Sequence, residues 1–256
     1  MRRLRDHLLL CAAVLVFCGP VLWVLSSALH PDAVAQNWRV LSAQLSEDAN
    51  GPGLNRMIFV TFALATMTSI MTTVGSFLAA FVFVFFRRPF VAFAFWLSIA
   101  TLYFPVEARM LHTFDVVAAL GLTSSFAGLS LPVLQFGLGT LFFRQHLKTL
   151  PHALFEAARL DGAGPVRTML EIVLPLSLTA VATVALVSFI LGWNQYLWPL
   201  MASVDDQHWT LVRGLERVRS GSGAGLLLAA ISLLPPLLLV IACHRLIRFR
   251  FLDGEQ

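Results

Sequence analysis

The stretch Met57–Phe86, MIFVTFALATMTSIMTTVGSFLAAFVFVFF, runs for thirty residues without one ionisable side chain. A helix needs about 20 apolar residues to cross the roughly 30 Å hydrocarbon core of a bilayer. Thirty are enough to tilt or to project beyond the lipid. Arg87 and Arg88 follow at once, and basic residues flanking an apolar run are how a membrane protein is oriented. The segment is expected to span a membrane.

Five more runs extend that reading along the chain. Leu8–Leu29 precedes it, and Phe90–Val106, Phe126–Phe143, Leu176–Leu197 and Gly225–Ile247 follow. Glu107 and Arg109 stop the Phe90 run, and Met110–Leu122 reads as an amphipathic helix at the outer surface. Composition agrees: 58% of the residues are hydrophobic and 12% charged, against about 25% charged in an ordinary soluble domain. Arg2, Arg3 and Arg5, with Ala33-Val34-Ala35 beyond, resemble a secretion signal. The 22-residue run between them exceeds the roughly 7–15 residues of a signal core, so an uncleaved anchor is expected. The fold class is all-α: a polytopic membrane protein of six transmembrane helices, with residues 1–256 as a single domain.

Counting Lys and Arg on alternate sides gives twelve on the side of the N-terminus and six on the other. That bias places both termini in the cytoplasm. Asp32, Glu47, Asp48, Asp205 and Asp206 fall in the outer loops and add little to the rule. The net charge of +4 is explained by this topology, and no motif points to nucleic acid. Cys11, Cys18 and Cys243 lie in or at the end of apolar runs without metal-ligand spacing. The seven histidines form no metal pair on a span. Gly75, Gly137, Gly139 and Gly192 sit within spans, where small residues let helices approach closely. Ser220-Gly221-Ser222-Gly223 ends the last outer loop as a flexible stretch or a turn.

The segment from Arg144 to Pro175 is too polar to cross lipid and too regular for a plain loop. Pro151 suits a first helical turn. Ala153, Leu154, Ala157, Ala158 and Leu160 follow as a short apolar face; Gly162 and Gly164 break the helix, and Pro165 starts another through Met169 and Ile172. Two short helices at an angle would form a knob suited to a groove on another protein, or an amphipathic element resting on the membrane surface.

Glu156-Ala157-Ala158, then Gly162 after three residues, Ile172 after nine more, and Leu174-Pro175 after one more match the spacing of the EAA motif. On these residues the chain resembles the permeases of ABC importers. The stretch Leu120–Thr123, with Gly128-Leu129 and Leu131-Pro132, is similar to the maltose-importer class. The pieces Phe104–Arg109, Phe143-Arg144-Gln145 and Gly192–Leu200 resemble glycerol-3-phosphate permeases within it, which implies sn-glycerol-3-phosphate or glycerophosphodiesters as cargo, with a sugar (oligosaccharide) as the alternative. The resemblance implies a type I ABC importer permease fold in a bacterial inner membrane. It also implies a second permease as heterodimer partner, two copies of a cytoplasmic ATPase, and an extracytoplasmic substrate-binding protein. Residues 144–175 would then hold the coupling helix. Glu156, Ala157, Ala158 and Gly162 would face the ATPase, with Arg159 and Asp161 as ionic partners. The short outer loop after the first span and the tail Arg248–Gly254 depart from the family pattern.

The chain has no Gly-x-x-x-x-Gly-Lys-[Ser/Thr] loop, and its one lysine is Lys148. It is expected to be no enzyme and to bind no cofactor; ATP and Mg belong to the partner ATPase. Asn194 and Gln195 are costly in lipid and read as lining a pathway or bonding another helix. Glu107 and Arg109 either mark the interface or serve the pathway. An arginine could attract a phosphate, although a carboxylate beside it argues against a simple anion site. Trp193, Tyr196 and Trp198 read as an aromatic belt at the outer interface. An ion-coupled transporter or channel would want ionisable residues within spans, which are almost lacking.

Overall fold

The computed structural model describes residues 2–46, 51–86, 88–203, 206–218 and 222–252. Glu47, Asp48, Arg87, Asp205, Arg219, Ser220 and Gly221 lie outside the described residues. So do Asp253 and Gly254 of the tail, and the side chains of Arg2, Arg3, Arg5, Glu107, Asp206 and residues 244–252. The described residues form helices and turns and contain no strand. In chain order the helices are α1 (Arg2–Ala28), α2 (Pro31–Gln44), α3 (Leu54–Phe85), α4 (Pro89–Ala100), α5 (Val106–Ala119), α6 (Phe126–Ser130) and α7 (Phe136–Leu147). They continue as α8 (His152–Leu160), α9 (Pro165–Thr168), α10 (Leu174–Leu176), α11 (Leu178–Trp193), α12 (Leu197–Ala202), α13 (Leu211–Gly214) and α14 (Gly223–Leu252).

Three helices are each long and apolar enough to cross a membrane: α1 over Leu9–Ala28, α3, and α14 over Gly223–Cys243. The other three runs are bent pairs, which brings the total to six spans if each pair counts as one. The chain turns by 108° between Pro89–Tyr103 and Ala108–Ala119, so the amphipathic helix expected over Met110–Leu122 forms, starting earlier at Val106. It turns by 45° between Phe126–Val133 and Phe136–Leu147, where Pro132 sits at the start of a 3-10 turn. It turns by 78° after a stretch in which α9, a π turn (Met169–Val173) and α10 follow each other without a gap. The fifth run is therefore shorter than read: its straight helix is α11, which ends where the polar Asn194 leaves helical geometry.

One element was not foreseen. The segment after the first run folds as α2. Pro31 sits at its first turn with Asp32 beside it, where a fixed φ and a negative charge both suit a helix start. Leu41 and Leu45 are buried against Leu227 and Leu228 of α14.

The central helix is α3, packed against α7 and α11. Its buried positions Met57, Thr61, Leu64, Thr68, Thr72, Ser76 and Ala80 recur at three- and four-residue steps, which places them on one face. Lipid is as apolar as Leu, so helices in it hold together by close packing and hydrogen bonds. The middle of this face is accordingly small. A Cβ on Gly192 of α11 would lie 3.0 Å from the Ala65 Cα and the Thr68 Cβ, which fixes how closely α11 approaches. Ser69 adds a hydrogen bond from its Oγ to the Ala185 carbonyl, 2.7 Å.

Three apolar clusters surround this face. Phe77, Phe81, Phe143 and Val173 pack at one end of α3, where Phe77 and Phe143 meet edge to face at 5.3 Å. Nearby, the Arg144 guanidinium lies 4.1 Å over the Phe95 ring and joins α7 to α4. Towards the other end, Val60, Leu64, Met110, Val133 and Trp198 form a second cluster. Leu41, Met57, Trp193 and Leu228 belong to the third. By contrast α1 leaves its sides open: Phe17 is 80% and Val16 71% exposed, as for a helix that lipid surrounds.

Candidate functional site

At the Phe77–Phe143 end of the bundle, α8 stands out from the surface. Pro151 (φ −59°, ψ 128°) precedes it as the N-cap. Its other end is closed by two hydrogen bonds, Ala163 N–H to the Ala158 carbonyl at 2.9 Å and Gly162 N–H to the Arg159 carbonyl at 3.1 Å. This pair is the Schellman arrangement, which requires a left-handed residue at the first position past the helix. Gly162 supplies it, with φ +72°, and nothing lies within 4 Å of where its Cβ would be. The requirement at this position is conformational, since space for a side chain is available.

The structure divides the expected apolar face of α8. Phe155 and Ala158 turn inward, 8% and 4% exposed, and the Phe155 ring meets that of Phe85 at 4.7 Å. Glu156, Ala157, Arg159, Asp161 and Gly162 are exposed, and Leu160 is 90% exposed. Positions three apart share a helix face, so the aromatic Phe155 carries Ala158 with it into the core. Sequence reasoning passed over Phe155; its signal was that it is the one aromatic residue in the helix. The following turn is tied by Arg167 to Glu171 at 2.8 Å. Between α8 and the ends of α3 and α7 lies a cleft of about 630 Å³, lined among others by Phe85, Lys148, His152, Glu156 and Arg159.

Towards the other end of α3, the structure brings together two of the four candidate pathway residues. Arg109 of α5 and Gln195, in the loop after α11, line one pocket of about 30 Å³ with Thr113, Pro132, Gln135 and Trp198. Asn194 is exposed and does not line it. The backbone of Glu107 lies in the first turn of α5; its side chain is outside the described residues. Gln135, in the break between α6 and α7, was not singled out in the sequence. It also lines a second cavity of about 180 Å³ between α7 and α11, with Leu138, Phe142, Thr183, Val187 and Ser188.

The aromatic belt is corrected for two of its three members. Trp193 and Trp198 are 1% and 2% exposed. Their indole N–H groups donate to the carbonyls of Ser232 at 2.9 Å and Gly128 at 3.1 Å. A buried indole needs such a partner, and these two bonds tie α11 to α14 and α12 to α6. Tyr196 remains exposed, and its hydroxyl donates to the Glu216 carboxylate. That hydrogen bond holds the phenol's pKa above its ordinary value. Among the described residues, no group of three His, Cys, Asp or Glu side chains could hold a metal ion.

Residues 51–252 match the model of the family described as the binding-protein-dependent transport system inner membrane component. The chain is 35% identical to the sn-glycerol-3-phosphate transport system permease protein UgpE of Agrobacterium fabrum, over 95% of this chain and 93% of that one. It is 38% identical to the protein of the same name from Brucella melitensis, over 86% and 80% of the two chains. Among solved structures it resembles a bacterial ABC transporter involved in the import of the acidic polysaccharide alginate. There the TM-score is 0.73 at 16% identity, over 94% of this chain and 95% of that one. The MetNI methionine ABC transporter, in inward-facing conformations, aligns with a TM-score of 0.58 at 16% identity, over 76% and 94%. The chain belongs to the family of binding-protein-dependent transport system inner membrane components, the non-catalytic, multi-pass permease subunits of ABC importers.

Proposed function

We propose that the chain is one membrane-spanning half of an importer for sn-glycerol-3-phosphate or glycerophosphodiesters. A second permease completes the pore, two copies of a cytoplasmic ATPase bind ATP and Mg, and an extracytoplasmic binding protein delivers the cargo. Both termini and the α8 knob lie on the cytoplasmic side.

The observation that carries this reading is the division of α8. One face is anchored by Phe155 in the aromatic cluster, and the other presents Glu156, Ala157, Arg159 and Asp161 to solvent. A helix so anchored passes displacement to the bundle instead of bending. ATP closes the ATPase pair, α8 moves with it, and the bundle opens outward to receive cargo. Hydrolysis returns the bundle to its inward-facing state. The cargo assignment rests on the relatives, which bear the name of sn-glycerol-3-phosphate permeases over most of the chain.

The test is uptake by proteoliposomes holding both permeases and the ATPase, with the binding protein outside and ATP inside. Labelled sn-glycerol-3-phosphate accumulates only when ATP and the ATPase are both present. Accumulation without either favours an ion-coupled transporter and overturns the proposal.

A further inference from the structure

Gln135 is the one residue that lines both cavities of this region, the roughly 30 Å³ pocket with Arg109 and Gln195 and the roughly 180 Å³ cavity between α7 and α11. Its backbone is held. The adjacent carbonyl, that of Phe136, accepts a hydrogen bond from Ser76 Oγ of α3 at 2.9 Å. Its side chain is half-buried and makes no hydrogen bond among the described residues. Its amide atoms are not sealed from solvent, unlike the buried hydroxyls of Thr68, Thr72 and Thr73 on α3. At membrane depth polar groups are tolerated where they line a water-filled cavity. The smaller pocket has room for about one or two waters, since a cavity of roughly 10–15 Å³ already holds one.

We propose that Gln135 is a solute contact of the transport pathway, placed where the pocket and the larger cavity meet. It bonds hydroxyl groups of the cargo, while Arg109 on the pocket wall attracts the cargo's negative charge. The chemistry favours this division. An amide offers two donors and an acceptor oxygen with two lone pairs, which suits a polyol. A guanidinium suits phosphate. This proposal rests on the import reading and deepens it, because a small polyol carrying a phosphate satisfies both groups at once. The 180 Å³ cavity, with Thr183 and Ser188 on otherwise apolar walls, lies on the far side of Gln135.

Two arms test it in the assembled importer. In the first, Gln135→Leu keeps the bulk of the side chain and removes the amide. Loss of a hydrogen bond that leaves cargo unpaired raises the KM for sn-glycerol-3-phosphate about tenfold. That rise exceeds any change in maximal rate, and Gln135→Asn raises KM less. Co-purification of the partner subunits confirms assembly of each variant. An unchanged KM in an assembled complex overturns the inference.

The second arm holds whatever the cargo is. Gln135→Cys is made with Cys11, Cys18 and Cys243 replaced by serine, and exposed to a small hydrophilic, membrane-impermeant thiol reagent. The thiol reacts in at least one nucleotide state; failure to react in every state overturns the inference. If wild type does not move sn-glycerol-3-phosphate but the cysteine reacts, the cargo reading falls and Gln135 stays on the pathway. If wild type transports it and Gln135→Leu leaves KM unchanged, Gln135 falls and the cargo reading stands.

Discussion

In the knob, every outward-facing group comes from eleven consecutive residues, 152–162, on one short helix with its closing turn. In the pocket, Arg109, Gln135 and Gln195 come from α5, from the break between α6 and α7, and from the loop after α11. The two sites sit beside different clusters along α3. The knob is held by an aromatic ring in an apolar core. The pocket is held by hydrogen bonds from small and aromatic side chains, such as Ser76 to the Phe136 carbonyl and Trp198 to the Gly128 carbonyl. A protrusion that transmits force needs a rigid root, and a pathway needs backbone breaks that aim polar groups inward. The difference in construction follows the difference in proposed task.

The contrast can be broken most forcefully at the root of the knob. Phe155→Ala removes a buried ring from the cluster with Phe81, Phe85 and Phe143. Truncations of this kind cost about 3–5 kcal/mol. Uptake should fall to background and the amides of α8 should lose protection in hydrogen exchange, while the Gln135→Cys thiol keeps its reactivity. Retained protection in α8 would mean that Phe155 does not anchor it.

A smaller effect is expected where the knob's geometry depends on the backbone alone. Gly162→Val forces a β-branched residue to φ +72° with no steric neighbour to blame. A non-glycine residue held in this region costs about 1–3 kcal/mol. Recovery of the ATPase with the complex should drop by roughly tenfold at 1.4 kcal/mol, and Gly162→Asn should restore most of it because Asn tolerates the left-handed region. Equal recovery for Val and Asn would show that the closing turn does not set the docking surface.

These expectations bear on what was legible in the sequence. The six apolar runs were readable because lipid demands them, and their approximate positions survive in the helices. The bends were not, although Pro105 and Pro132 stand at two of them, since a proline alone does not say whether a span continues beyond the break. The helix α2 carried readable signals in Pro31, Asp32 and the spacing of Val34, Leu41 and Leu45, which went unused because the segment after the first span was read as a loop. In the knob, spacing located the helix and Gly162, but which stripe is buried depended on Phe85 and Phe143, far away in the chain. The pocket was half-legible for the same reason. Polar residues inside apolar runs could be noticed one at a time, and the joining of Arg109 to Gln195 through Gln135 required the fold.

Under the proposed function, the outward stripe of α8 docks on the nucleotide-hydrolysing partner. Ala157 and its neighbour Ala158 separate the two faces of that helix, one exposed and the other 4% exposed. A photocrosslinking residue placed at each position in turn, in the intact importer, reads the docking surface directly. The prediction is an ATPase adduct from position 157 and none from position 158. Adducts of equal yield from both positions, or none from 157, would contradict it.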